Sequence, residues 1–204
     1  MEKQTVHLFV FDTLSDWEPC HAVAGINSPA FQAHPGRYEV KTVSETLKPV
    51  KTVGGVTILP DLVLAELEPA QSAMLILTGG EGWENGSHES AVEKARSFLA
   101  QGVPVAAICG ATAGLARAGL LDHIRHTSNA LVYLQAMSYQ GAALYQQEAA
   151  VTDGDLITAG ATAPIEFACH IFRKLDIYSP EVLDAWYGLY KTGDPAYFFA
   201  LQKL

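Results

Sequence analysis

The sequence predicts an α/β fold, with a mostly parallel central sheet and helices on both of its faces. Three observations carry this prediction. Residues 6–11, 73–77 and 103–108 are nearly continuous apolar runs, the pattern of strands buried on both faces. Stretches of helical spacing alternate with them, and parallel strands are joined by such crossovers. Turn residues punctuate the alternation, as at Thr78-Gly79-Gly80 and Gly119.

Each element has its own signal. After the first strand, residues 15–25 read as a helix, because Ser15-x-x-Glu18 forms a capping box and Pro19 is tolerated in a first turn. Residues 38–43 alternate like a half-buried strand. Residues 50–59, interrupted by Gly54-Gly55, read as a small β excursion, and Pro60-Asp61 opens a short helix. Between 89 and 101, Ala91, Ala95, Phe98 and Leu99 share one helical face. Residues 111–118 form a helix closed by Gly119, and 131–137 are helical. Residues 149–152 and 156–159 flank Asp153-Gly154, a hairpin signal. A helix over 164–175 is followed by a helical, aromatic-rich tail at 180–190 and 195–204.

The chain has 204 residues, 49% of them apolar, enough for one large core without repeat or linker. A formal net charge of −9 disfavours nucleic acid and anionic membrane as partners. Apolar runs are too short to span a bilayer, and the first residues lack the pattern of a signal peptide, so a soluble cytoplasmic protein is expected. Cys20, Cys109 and Cys169 are odd in number and lack C-x-x-C or metal-ligand spacing. They are therefore read as free thiols, and neither a metal nor another cofactor is expected.

Cys109 stands apart from the other two. In Val105-Ala106-Ala107-Ile108-Cys109-Gly110-Ala111 a buried strand runs into a helix with no loop between them. A nucleophile there occupies a sharp turn whose neighbours must be small, the steric logic of a nucleophile elbow. The positive end of the following helix favours the thiolate, so a lowered pKa is expected. The competing reading is a packed core thiol, which fits Cys169 better. Thr78-Gly79-Gly80-Glu81-Gly82 follows the neighbouring strand, so the N–H groups of Gly80 and Gly110 are expected to form an oxyanion hole.

Taken together, LILTGGEGW, VPVAAICGATAGLARAGLL, Thr127-Ser128-Asn129 and DGDLITAGATAPIEFA resemble the ThiJ/PfpI superfamily. That group includes the parkinsonism-associated deglycase and shares a fold with class I glutamine amidotransferases. The resemblance covers residues 5 to about 175. It implies a flavodoxin-like three-layer sandwich, a homodimer, and a reactive cysteine on the elbow. Beyond the matched domain over 1–175, the helical extension over 176–204 is expected to pack on it, because Trp186, Tyr187, Tyr190, Tyr197, Phe198 and Phe199 would otherwise form a large exposed apolar patch. An acidic residue of the first βα connection touches the cysteine in that family, and Glu18 holds the matching position. A carboxyl beside a thiolate is kept protonated and can shuttle a proton; the capping box remains the competing role for Glu18.

The chain also departs from the family. Gly110 stands where members named as intracellular proteases carry His. No His-x-Glu of the amidotransferase kind is present, and Asn129 occupies the place of a downstream His, with His126 three residues earlier. Asn129 and His126 are thus the auxiliary candidates, although a lone exposed His is the plainer account of His126. The expected function is cysteine-dependent chemistry on small carbonyl or amide substrates, of glyoxalase or deglycase type or as an amidase-like or peptidase-like hydrolase. The alternative is a redox-sensing stress-response protein whose cysteine oxidises without turnover.

Overall fold

A computed structural model of the chain describes residues 3–203. In chain order its elements are β1 (Gln4–Phe9), α1 (Cys20–Asn27), β2 (Tyr38–Ser44), β3 (Val50–Lys51), β4 (Thr57–Ile58), β5 (Leu62–Val63), β6 (Met74–Leu77), α2 (Glu89–Ala100), β7 (Val105–Ile108), α3 (Gly110–Arg117), α4 (Leu131–Gln135), β8 (Ala150–Asp153), β9 (Leu156–Ala159), α5 (Pro164–Leu175), α6 (Pro180–Thr192) and α7 (Pro195–Leu201). Seven strands form one sheet in the order β5-β2-β1-β6-β7-β9-β8, and β3 pairs with β4 in a separate antiparallel hairpin. Every pair in the large sheet is parallel except β8 with β9. Its long strands follow the flavodoxin-like order, in which ligands bind where the order reverses, outside the carboxyl ends of the strands.

The continuous apolar runs are apolar because water reaches neither side. Met74 to Leu77 on β6 and Val105 to Ile108 on β7 are fully buried. Register places their ends together: Leu77 pairs with Ala107, and Ile108 with Ala159. The segments that follow β1, β6, β7 and β9 therefore converge on one edge of the sheet. Among the described residues, no helix is long and apolar enough to cross a membrane.

Two expected helices differ. The first begins only at Cys20, because residues 15–19 are held otherwise. Ser15 donates its N–H to the Gly79 carbonyl, and the Glu18 carboxyl turns to the Gly79 N–H, so the capping box does not form. Pro60-Asp61 opens the short edge strand β5 instead of a helix. Asp61 binds Thr42 through both backbone and side chain, which staples the segment along β2.

Beyond α5 the chain forms α6 and α7. Helix α6 buries Val182, Leu183, Ala185 and Trp186, with the Trp186 ring edge-on to Phe172 at 5.0 Å. Helix α7 buries only Leu201, while Phe198 and Phe199 remain 48% and 60% exposed. Of the tail's aromatics, Trp186 is buried and Tyr187 half-buried, whereas Tyr190 of α6 and Tyr197, Phe198 and Phe199 of α7 are exposed, so the expected cover is only partial. Helix α7 rests on α6 through Tyr197, whose ring occupies the space a side chain at Gly188 would need.

Candidate active site

Ile108 leaves β7 and Gly110 begins α3, so Cys109 alone makes the turn. Its φ of 58° and ψ of −123° lie in a strained region for any residue with a Cβ. Both backbone groups are secured: the N–H donates to the Ala159 carbonyl at 3.0 Å, and the carbonyl accepts from the Thr112 hydroxyl at 2.6 Å. Thr112 also shares a hydrogen bond with Ser128, 2.6 Å between the two oxygens. The elbow is therefore braced from β9 on one side and from the segment before α4 on the other.

Two glycines make room for the sulfur. A Cβ at Gly79 would lie 2.8 Å from the Cys109 sulfur and 2.8 Å from Oε1 of Glu18. Only a residue without a side chain lets those two groups gather there. A Cβ at Gly110 would lie 2.9 Å from the Trp83 ring and 3.2 Å from the Gly80 carbonyl. Hence Gly110, the departure from the protease-like pattern, is imposed by the packing of Trp83.

Glu18 is fully buried although it carries a carboxyl. Oε2 accepts the Gly79 N–H at 2.5 Å, while Oε1, on the sulfur side, has no conventional hydrogen-bond partner among the described residues. Burial pushes this carboxyl up to about 7, against the Gly79 hydrogen bond, which favours the ionised form. Burial, and then the charge of Glu18, push the Cys109 thiol up to about 11; the hydrogen bonds from Asn129 and the Gly110 N–H pull the other way. This corrects the expected lowering. The end of an eight-residue helix does not offset burial of the thiol and the carboxylate beside it. The pair thus holds two protons below about pH 7 and one above it, and the sulfur keeps the remaining proton.

Asn129 reaches the sulfur from the opposite wall, its Nδ2 donating to Sγ at 3.5 Å. Its Oδ1 accepts the Ala161 N–H at 2.8 Å, which fixes the orientation of the amide. No protein acceptor among the described residues takes the Gly80 N–H, and the Gly110 N–H meets the sulfur. Asn129, Ser128, Gly160, Ala161, Glu166 and Lys191 also line an adjoining cavity of about 410 Å³.

The structure does not bring His126 into this group. It is fully buried rather than exposed, with Nδ1 against the Ile124 carbonyl and Nε2 bonded to the Tyr139 hydroxyl. Both ring nitrogens are engaged, and burial lowers the pKa, so the ring stays neutral. Among the described residues, no group of three or more His, Cys, Asp or Glu side chains could hold a metal. Sequence reasoning missed the decisive part of Gly79 and the brace of Thr112. A hydroxyl three residues after the turn was the available signal for the brace.

The DJ-1/PfpI family model matches residues 4–174. A Bacillus subtilis (strain 168) protein named "Uncharacterized protease YoaZ" is 40% identical over 206 residues, covering 100% of this chain and 98% of that one. YdeA of the same organism, also named an uncharacterized protease, is 33% identical over 91% of this chain and 95% of its own. Among solved structures, the thiJ/pfpI family protein from Bacillus anthracis superposes with a TM-score of 0.92 at 39% identity, covering 100% of this chain and 98% of that one. DJ-1 superfamily protein Atu0886 from Agrobacterium tumefaciens gives 0.83 at 29%, with coverage of 93% and 98%. With a family match over nearly the whole chain and a shared flavodoxin-like fold, this protein belongs to the DJ-1/PfpI family.

Proposed function

We propose that the protein is a cysteine-dependent enzyme acting on small carbonyl or amide substrates, with Cys109 as nucleophile and Glu18 as its base. One observation carries the reading: a thiol in a strained turn stands beside a fully buried carboxyl, around the same glycine, and burial raises that carboxyl to about 7, the range of a general base at working pH. The nucleophile is then generated in the act of attack rather than stored as thiolate. As Sγ bonds to the carbonyl carbon, the thiol proton passes to Glu18 and the carbonyl π pair moves to oxygen. The N–H groups of Gly80 and Gly110 receive that oxyanion. Asn129 holds the sulfur in place and takes no proton.

With an aldehyde, Glu18 returns the proton to the oxyanion and gives a hemithioacetal, the entry to glyoxalase-type or deglycase-type chemistry. With an amide, Glu18 protonates the departing amine, and water then hydrolyses the thioester. The protease names of the Bacillus subtilis relatives extend to this chain as hydrolysis of small amides, because Gly110 supplies no imidazole beside the sulfur. A homodimer is part of the proposal. Trp17, Val53, Val56 and Leu59 are exposed apolar side chains of the loop and hairpin that the Asp16 to Gly54 hydrogen bond joins, a surface suited to a second copy.

The test is purified protein with methylglyoxal as substrate. Consumption of many equivalents per cysteine, abolished in Cys109→Ser, is the expected result. Consumption that stops at one equivalent favours the redox-sensing alternative, and turnover that survives without the sulfur overturns both.

A further inference from the structure

The glycine loop after β6, residues 78–88, supplies groups that surround the sulfur, and between its buried Trp83 and its exposed Glu84 it passes from core to surface. Gly80, Gly82 and Gly86 have positive φ, and glycine leaves the backbone free to move. Trp83 anchors the loop in the core, edge-on to Phe9 and Phe11, and hydrogen bonds tie the rest of it on three sides. Towards β1, Glu81 donates its N–H to Thr13 and Gly79 donates to Glu18. Beneath, Arg117 at the end of α3 donates to the Glu84 carbonyl at 2.8 Å. On the third side the Tyr133 hydroxyl donates to the Glu84 carboxylate.

The third tie differs from the others in what it spans. Tyr133 stands four residues after Asn129, which touches the sulfur, so α4 and the Asn129 wall form one continuous segment. Among the described residues, the bond from Tyr133 to Glu84 is the one hydrogen bond joining that segment to the glycine loop.

We propose that Tyr133 and Glu84 are positioning residues that clasp the two walls of the Cys109 site and set the distance between Asn129 and the Gly80 N–H. A phenol suits this task. Burial, the bond to Glu84 and the nearby charges of Cys109 and Glu18 all raise the pKa of Tyr133, so it remains a neutral donor across the working range. Without the clasp, both walls stay folded through their other bonds, and the glycine loop moves outward from the sulfur. The inference rests on Cys109 as the reacting group, not on any particular substrate.

The experiment compares full-length wild type with Tyr133→Phe, Glu84→Ala, Glu84→Gln and the Tyr133→Phe/Glu84→Ala double variant. Alkylation of Cys109 by iodoacetamide and by a bulky N-aryl maleimide is followed by mass spectrometry, alongside kcat and KM for methylglyoxal. Tyr133→Phe and Glu84→Ala should each raise the maleimide-to-iodoacetamide rate ratio about threefold to tenfold, the scale of one lost hydrogen bond. The double variant should go no further, as coupled partners require. Glu84→Gln keeps an acceptor and should remain near wild type, with kcat restored. An unchanged ratio in Tyr133→Phe, or Glu84→Gln behaving like Glu84→Ala, would overturn the clasp. Alkylation needs no turnover, so an inactive wild type would defeat the proposed enzyme and leave this result readable.

Discussion

Glu18→Gln keeps the shape of the side chain and its acceptor for the Gly79 N–H, but removes the charge. In the folded protein the carboxyl has risen from 4.5 to about 7. At about 1.4 kcal/mol for each pH unit, the ionised form is held at a cost of about 3 kcal/mol. Because the folded state binds this proton more tightly than the unfolded state, the stabilising contribution is complete below about 4.5 and is lost as pH rises through about 7. Between pH 5 and pH 8, wild type should lose roughly 2 to 3 kcal/mol from this source relative to Glu18→Gln. For a chain of this size that is roughly 5 to 10 °C in Tm. Thermal unfolding of both proteins at several pH values measures it. Glu18→Gln should also speed alkylation of Cys109 at pH 8, because the sulfur no longer faces a carboxylate, while turnover falls. Parallel Tm curves for the two proteins would show that Glu18 gains no proton affinity on folding.

Gly79→Ala inserts a methyl where 2.8 Å separates it from the sulfur, so turnover should fall at least tenfold, with a stability loss of about 1 to 3 kcal/mol by denaturant titration. Trp186→Ala should cost about 3 to 5 kcal/mol in the same titration, since α6 rests on α5 through that ring. Light scattering at micromolar concentration should give about twice the 21.9 kDa chain mass; the monomer mass would remove the homodimer.

The elbow was legible because its requirements are local. A buried strand, small neighbours and a glycine fit in seven residues, and the structure places Cys109 at that turn with positive φ. The sheet was legible for a similar reason, since a strand buried on both faces has a nearly continuous apolar run, interrupted in β1 only by the buried His7. What the sequence concealed depends on distant partners. Ser15-x-x-Glu18 is a sound capping box until Gly79 offers the carboxyl a better donor 61 residues away. His126 reads as exposed because nothing in its vicinity shows that Tyr139 and the Ile124 carbonyl occupy both its nitrogens. The pKa of Cys109 was misjudged for the same reason, because burial and a neighbouring charge are tertiary properties and the helix end is a local one. Phe198 and Phe199 look like core residues by type, yet in α7 Leu201 is the buried residue and both phenylalanines are exposed, which depends on what the helix packs against and not on its composition.

The account rests on Glu18 taking the Cys109 proton as the sulfur attacks, and the dependence of kcat/KM on pH tests this most directly. Protonated Glu18 cannot accept a proton, so with methylglyoxal the rate should rise as pH passes through about 7. The rise should vanish in Glu18→Gln, and the residual rate should be low throughout. A rate that falls across the same range, or a profile that Glu18→Gln leaves unchanged, would contradict the account.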